Sequence, residues 1–381
     1  MVFFDFFGAG VSVATFFGIY ALLALSLNFQ YGIAGLPNFG QVLFYGVGAY
    51  AAGTMSVIFV SLAVNLSVPN YCDVLVQQTR MNAAAGSPDL AIGMFVVGIV
   101  VAAAVAGFFG LILSYPVVRI EEEWYLALVL LIAAEIVRVV ARNYGGFLGI
   151  CSYNGLGGIP SPFQWVSNTG AASLDFALLV LAFVAAAYFY FEKSLNSPWG
   201  RMLKSIRDDA VASRTLGKNV TKARVQAMVI GSAIAGVAGA FFTYYSNYVT
   251  ADNFIPVVTF NVWVMIVLGG LGNNKGALLG TFIVILLQKV LGIAAITLPF
   301  QNASLILNYS TYVIEGVVFI ALLIFRPSGI IIEKPVKTPA DAVLGVKERQ
   351  PSIIIQSSDE PGKGGRDKKN KEEEDKESQV Q

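Results

Sequence analysis

The residues whose types and spacing could do chemistry are concentrated in one polar segment between two apolar stretches. Ser197 and Pro198 supply a capping hydroxyl followed by proline at the first helical position, which is a helix start. Apolar residues then recur at helical spacing and form one stripe: Trp199, Met202, Leu203, Ile206 and Ala210. The charged residues Arg201, Lys204, Arg207 and Asp208 lie mostly off this stripe, and Gly217 is placed to end the helix. Such a charged face can dock either to a soluble partner or to anionic lipid.

Enzymatic chemistry has few candidates in this chain. There is no histidine, which removes imidazole bases, histidine metal ligands and Ser-His or Cys-His nucleophiles. The two cysteines are too few for a cysteine-only metal site. No GxxxxGK[ST] motif occurs, since the segment 216–219 lacks both the upstream glycine and the Ser/Thr. We therefore expect no catalytic residue, no metal and no cofactor in this chain.

The composition predicts a membrane protein. Of the 381 residues, 56% are apolar and only 13% are charged, and the mean hydropathy is +0.68. Several windows reach the roughly 20 apolar residues needed to cross a bilayer. We predict an all-α polytopic helical protein with about nine transmembrane spans: 11–29, 40–60, 90–114, 124–142, 173–191, 227–246, 259–273, 276–297 and 309–325. The seventh span is short, and with the eighth it flanks GGLGNNKG, so this pair could instead be half-helices.

The distribution of basic residues predicts the orientation. The 192–226 link is rich in lysine and arginine and should face the cytoplasm, as should the residues after the last span. Four other links have a single basic residue among them, Arg80, and should face outside: 61–89, 143–172, 247–258 and 298–308. The chain then divides into a transmembrane permease domain, 1–332, and a disordered, charged cytoplasmic tail, 333–381.

Five stretches resemble a known family, in the family's order. One of them is IRDDAVASRTLGKNVTKARVQAMVIGSAIAGVAGA, in which Ala212 and Ser213 followed by Gly217 are similar to an Ala-Ala-x3-Gly coupling loop. The others are ALSLNFQYGIAGLPNFGQVLFYGVGAYAAG, AEIVRVVARN, NGLGGIP and VLGGLGNNKGALLG. Together they resemble the permease subunits of the branched-chain amino-acid and urea group of ABC importers, over about residues 20–330.

This resemblance implies a function and a set of partners. Such a permease has no nucleotide site of its own; two cytoplasmic ATPases, which use ATP and Mg, dock on its coupling helix. A homologous second permease and an external solute-binding protein complete the importer in the cytoplasmic (plasma) membrane, and no nucleic acid takes part. The coupling residues carried over are Arg207, Asp208, Asp209, Ala212, Ser213 and Gly217. Branched-chain or other amino acids are the leading substrates, with urea or short amides next.

Two other classes of protein stay open at the level of sequence. An ion-coupled secondary carrier would need intramembrane carboxylates, for which Glu135 and Glu315 are the candidates. A membrane scaffold would carry no solute. A transport assay in vesicles separates the three classes. Uptake that requires ATP and partner ATPases supports an ABC permease, uptake driven by an ion gradient supports a secondary carrier, and the absence of uptake supports a scaffold.

Polar residues near a break in the first apolar stretch are candidates for the translocation path. Asn28, Gln30, Asn38 and Gln41 interrupt or border apolar spans around Gly32, Gly35 and Pro37. Broken helices expose backbone groups that can satisfy a polar solute. The alternative is interhelical hydrogen bonding that fixes packing.

Other pairs have a structural and a functional interpretation. Glu135 and Arg138, at i and i+3, favour a structural ion pair over a solute contact, and Lys289 could pair with Glu315. Cys72 and Cys151 both fall in links predicted to face outside and could form a disulfide or remain free thiols. Small residues at three- and four-residue spacing predict close helix packing: Gly231, Ser232, Ala235, Gly236, Gly239 and Ala240.

Overall fold

The long apolar runs of the sequence form long helices. The fold comes from a computed structural model, which describes residues 6–65, 72–120, 122–144 and 151–297, single positions between 310 and 325, and 329–333. Within these residues, eight helices are long and apolar enough to cross a membrane. This confirms the all-α, multi-pass architecture. The ninth predicted span, 309–325, is described only at scattered positions, and the predicted tail lies outside the described residues from 334 onward.

The helices follow the predicted spans closely, with additions in the links. Their bounds are α1 Phe6–Leu27, α2 Gln41–Ala63, α3 Val74–Gly86, α4 Pro88–Arg119, α5 Glu123–Asn143, α6 Thr169–Asn196, α7 Pro198–Asp208, α8 Ala210–Thr215, α9 Val220–Ser246, α10 Pro256–Gly269 and α11 Asn274–Thr297. Short 3-10 turns cover Ser152–Asn154 and Ala251–Asn253, and two short strands, β1 Leu156–Gly157 and β2 Tyr248–Val249, pair antiparallel.

The break predicted after the first span is present. Helix α1 continues as a π-helical turn, Asn28–Ile33, and the chain then leaves helical geometry until α2 begins at Gln41. A π turn adds a residue to the helical repeat and is often found at functional sites. Of the four residues proposed above for the translocation path, Asn28 and Gln30 lie in this turn, Asn38 lies in the loop, and Gln41 is the first residue of α2.

Helices α2, α4 and α9 pack together at the centre of the molecule. The predicted small-residue face of α9 allows this, because a Cβ built on Gly236 would lie 2.3 Å from the Cβ of Ala106 on α4. On the same helices, Tyr244 is fully buried and its hydroxyl lies 2.7 Å from Ser56 Oγ. Close helix packing by this face is therefore confirmed, and dispersion between closely approaching backbones stabilises it.

At one end of the helices, the links predicted to face outside come together. Cys72 and Cys151 are joined by a disulfide with 5.9 Å between their Cα atoms. β1 pairs with β2 through Leu156 and Val249, and the buried guanidinium of Arg80 donates from Nη2 to the carbonyl oxygen of Gly157 at 3.0 Å. Helix α3, which the hydropathy pattern does not reveal because it is too polar to span, lies in this group.

At the other end, the links predicted to be cytoplasmic come together. Residues 329–333 lie against the end of α10, where the amides of Ile330 and Ile331 donate to Leu268 and Gly269 at 3.0 and 2.9 Å. The loop after α10 contacts the π turn, since the amide of Gly272 donates to Asn28 Oδ1 at 2.9 Å. The two groups of links therefore lie at different ends of the long helices, and the cytoplasmic location of the basic end stays a prediction.

The last two described helices form an antiparallel hairpin around the glycine-rich loop. Helix α11 has 24 residues, about 36 Å of helix, and so it is long enough to cross and is not a half-helix. Helix α10 has only 14 residues, about 21 Å, and begins after the 3-10 turn Ala251–Asn253. The segment 247–255 reaches into the bundle, because the ring of Phe254 packs beside Gly46 and Tyr45 of α2.

Candidate functional site

The polar segment after α6 forms two short helices rather than the single helix expected. Ser197 caps α7 by accepting the Gly200 amide at 3.2 Å, as the sequence predicts. Helix α7 ends at Asp208, however, because Asp209 adopts an extended backbone (φ −156°, ψ 105°) and caps α8 by accepting the Ala212 amide at 2.8 Å. An aspartate in this position competes with helix continuation and starts a new helix instead. The helix was predicted to end at Gly217, and α8 does end just before this residue, whose φ is +77°.

The six predicted coupling residues all lie on this α7–α8 pair. Asp208, Asp209, Ala212 and Gly217 are exposed, Arg207 is half-buried, and Ser213 is buried. Ser213 connects the two helices, with its Oγ 2.9 Å from Ser205 Oγ. Their role in coupling to ATPases stays a prediction.

The sequence interpretation missed an exposed apolar pair, Val211 on α8 and Leu216 directly after this helix, which we call the apolar pair of α8. The side chains of Val211 and Leu216 are 69% and 75% exposed. They lie outside the apolar stripe of α7, whose members Leu203 and Ile206 are buried. The signal that could have found them is two large apolar residues in a segment otherwise rich in charge. Exposed apolar residues scattered singly are normal on a protein surface, so this pair is a candidate contact only because of its place in the predicted coupling segment.

The inner face of α7 is held by a cluster of charges that we call the clasp: Lys204, Arg207 and Glu333. Lys204 Nζ lies 2.7 Å from Glu333 Oε1, and Arg207 Nη1 lies 2.9 Å from Glu333 Oε2. Arg207 Nη1 also donates to the carbonyl oxygen of Gly32 in the π turn. Burial alone would lower the pKa of the Arg207 guanidinium, but the charges of Glu333 and Asp208 outweigh this and raise the pKa above its usual value.

The glycine-rich loop completes the surroundings of the clasp. Gly272 has φ +75°, and a Cβ there would lie 2.5 Å from Glu333 Oε2. Glycine is required at this position both for its backbone conformation and for the space that the carboxylate of Glu333 occupies. The clasp therefore joins α7, the end of α1, the loop after α10 and the residues that follow the last predicted span. The sequence interpretation placed Glu333 in the tail and did not connect it to this site.

The four predicted path residues are buried and hydrogen-bonded: Gln30, Asn38 and Gln41 form one network, and Asn28 bonds separately to α11 and to the glycine-rich loop. Asn38 Nδ2 donates to Gln30 Oε1 at 2.8 Å and to Gln41 Oε1 at 2.9 Å. Gln30 continues to the Met228 carbonyl of α9 at 3.1 Å, and Asn28 donates to Asn274 Oδ1 of α11 at 3.1 Å. Each of the four is at most 1% exposed. In this conformation their contacts are interhelical, and they tie the broken helix to α2, α9 and α11.

The intramembrane charges are placed as follows. Glu135 and Arg138 form the expected ion pair, with Arg138 Nε donating to Glu135 Oε2 at 2.9 Å. Lys289 lies over the ring of Phe16, 3.6 Å from its centroid, and donates to Ser12 Oγ at 3.2 Å. Its predicted partner Glu315 lies outside the described residues.

The fold and this site define a class: a multi-pass helical membrane protein with a basic helical pair at one end. The family model for the branched-chain amino acid transport system, permease component, matches residues 10–324. The chain belongs to this family.

Individual relatives agree with the family. A probable branched-chain amino acid transport permease protein LivM of Methanocaldococcus jannaschii is 31% identical over 340 residues, which cover 86% of this chain and 94% of the relative. The LivM permease of Salmonella typhimurium is 26% identical, over 84% of this chain and 69% of the relative. The chain is also similar to a LivH permease of M. jannaschii, at 24% identity over 81% of this chain and 87% of the relative. No solved structure matches the chain.

Proposed function

We propose that this chain is the permease subunit of an ATP-binding cassette importer that moves branched-chain amino acids across the cytoplasmic membrane. Its family and its relatives named for branched-chain amino acid transport support this function. The likeness to both LivM and LivH supports a second, homologous permease as partner. Two ATPase subunits and an external solute-binding protein complete the proposed importer.

The observation that carries the coupling part of the proposal is the geometry of the α7–α8 pair. Its outer surface presents Val211 and Leu216, while its inner face is fixed by the clasp to the π turn and to the end of α10. A soluble ATPase that binds the outer surface and moves when ATP binds would pull α7 and, through Arg207, the end of α1. Movement of a rigid element that has two stable positions is how such a signal shifts a path between outward and inward states.

Reconstitution tests the function directly. The chain is placed in vesicles together with the second permease, the two ATPases and the binding protein, and uptake of labelled leucine is measured with and without ATP. We expect uptake only when ATP and all subunits are present, and competition by isoleucine and valine but not by urea. Uptake by this chain alone along an ion gradient, or uptake of urea in preference to leucine, would contradict the proposal.

A further inference from the structure

A cavity of about 430 Å³ lies between α2, α4 and α5, and none of the clasp residues lines it. Its walls are apolar, with Val47 and Met55 from α2, Val101 and Phe109 from α4, and Val137 from α5. The volume falls in the range of about 300–1,000 Å³ that is usual for small-molecule sites. The cavity thus has room for an apolar side chain of a few carbons.

One charged residue borders this cavity. Arg138 lines it, and its side chain is only 16% exposed. Arg138 is the fifteenth residue of the span Trp124–Asn143, which places its Cα about 21 Å along a path of about 30 Å. A charge at this depth is costly in lipid, and such residues face a protein interior or a water-filled path. The position of Arg138 therefore requires a polar environment at the edge of the cavity.

Among the described residues, two of the three guanidinium nitrogens of Arg138 form close hydrogen bonds and the third has only a long contact. Nε and Nη2 both bind the carboxylate of Glu135. Nη1, by contrast, has a single long contact of 3.5 Å with Asp252 Oδ1. Because a guanidinium nitrogen forms strong bonds to a carboxylate at about 2.7–2.9 Å, Nη1 has capacity for a closer acceptor.

Asp252 is the acidic counterpart at the same place. It lies on the 3-10 turn Ala251–Asn253, and its neighbours Ala251 and Phe254 line the cavity. Its carboxylate is 46% exposed, and it has two long ionic contacts, 3.5 Å to Arg138 and 3.6 Å to Arg142. In the cavity wall, the hydroxyl of Tyr50 is buried and has no hydrogen-bond partner among the described residues. Arg138 and Tyr50 thus line an otherwise apolar chamber, and the carboxylate of Asp252 lies beside it on the adjoining 3-10 turn.

We propose that this cavity is the binding site for the amino acid in transit through the permease. The α-carboxylate of the solute accepts from Arg138 Nη1, its ammonium group pairs with Asp252, and its branched side chain enters the apolar chamber. The inference rests on the proposed function, which supplies the class of solute. It adds a site, because the cavity recognises the two charges and the hydrophobic group that branched-chain amino acids share.

Two matched tryptophan variants test the chamber. Val137 lines the cavity, whereas Val139, on the same helix, does not line it and is exposed. In the reconstituted importer, with binding protein preloaded with labelled leucine or valine, we expect V137W to lower leucine uptake about tenfold. Valine uptake should fall less, because valine needs less space, and V139W should stay within about twofold of the unaltered importer.

Substitutions of Arg138 test the charge. We expect R138Q to lower uptake of both solutes about tenfold, because the carboxylate loses a charge-assisted donor, and R138K to restore part of it. If R138Q does not fold, the comparison of V137W with V139W still tests whether the solute occupies the cavity. Equal effects of V137W and V139W, or unchanged uptake by a folded R138Q, would overturn this inference and leave the proposed function standing. Failure of the unaltered importer to carry leucine would instead refute the proposed function, and this inference with it.

Discussion

Arg207 donates a hydrogen bond to the carbonyl oxygen of Gly32, a residue 175 positions earlier in the chain. The same Nη1 atom also lies 2.9 Å from Glu333 Oε2. One guanidinium therefore connects α7, the π turn that follows α1 and the residues after the last predicted span. A displacement of α7 must either carry these segments with it or break the contacts.

Neutralising Glu333 should separate ATP hydrolysis from transport. Glu333→Gln removes the charge that both Lys204 and Arg207 use. Because hydrogen bonds to charged groups contribute about 1.5–3 kcal/mol, we expect the free energy of unfolding to fall by about that amount. We also expect leucine uptake per ATP hydrolysed to fall, since α7 is less firmly joined to the π turn. Paired measurements of uptake and phosphate release in vesicles check this.

Asp89→Asn is the control for this variant. Asp89 is an exposed acidic residue in the first turn of α4, at the opposite end of the molecule from the clasp. Its neutralisation should leave uptake per ATP unchanged. An equal loss in both variants would show that net charge, rather than the clasp, is responsible.

A charge on the apolar pair of α8 should prevent assembly with the ATPases. In the double variant Val211→Asp, Leu216→Asp, two side chains that are 69% and 75% exposed become charged without disturbing the buried Leu203 and Ile206. An interface that buries these carboxylates unpaired would lose several kcal/mol. We expect the permease to purify normally and to lose co-purification with the ATPases.

Leu75→Asp is matched to this change. Leu75 is also 75% exposed but lies on α3, at the other end of the molecule. The Leu75→Asp variant should still co-purify with the ATPases. If the Val211→Asp, Leu216→Asp double variant also co-purifies with them, the apolar pair of α8 is not the docking site.

Two glycines on neighbouring helices should respond differently to the same methyl group. Gly236→Ala places a Cβ 2.3 Å from Ala106 Cβ, so α4 and α9 must move apart. Overpacking of this kind costs about 1–3 kcal/mol. At Gly107, by contrast, the nearest atom to an added Cβ is 3.6 Å away, which is ordinary contact. Thermal melting in detergent should show a lower midpoint for Gly236→Ala only, and similar midpoints would contradict the close packing.

The buried amide network should matter more for stability than its individual bonds suggest. Asn38→Leu leaves acceptors of Gln30 and Gln41 without their donor, and we expect a loss of about 1–3 kcal/mol. Ser61→Ala is the control, because the buried Ser61 hydroxyl has no partner among the described residues and its removal should cost little. A double-mutant cycle of Asn38→Leu with Gln30→Leu should show coupling.

The same variants separate the two interpretations of this network. If its residues only fix packing, uptake per folded importer should follow stability. Loss of uptake by Asn38→Leu with an unchanged melting midpoint would instead favour the translocation path, the role expected from the break in the helix.

Particular elements show how far the sequence could be interpreted. The eight spans follow from runs of apolar residues, since a bilayer requires about 20 of them for each crossing. The break after Leu27 follows from Gly32, Gly35 and Pro37. Helix α3 could not be found in this way, because its residues are neither apolar enough for a span nor periodic enough to stand out. The division of the coupling segment at Asp209 was missed because its amphipathic stripe continues in sequence to Ala210.

The sequence by itself determined the membrane architecture and the start of the basic segment at Ser197 and Pro198, because hydrophobic length and local capping act over neighbouring residues. Only the tertiary structure decided which distant groups meet: Glu333 with Lys204 and Arg207, Asp252 with Arg138, and Cys72 with Cys151. These contacts depend on how the helices pack against one another. No pattern within a single helix specifies them, because an ionic contact is set by a separation of a few ångströms between atoms whose residues are far apart in the chain.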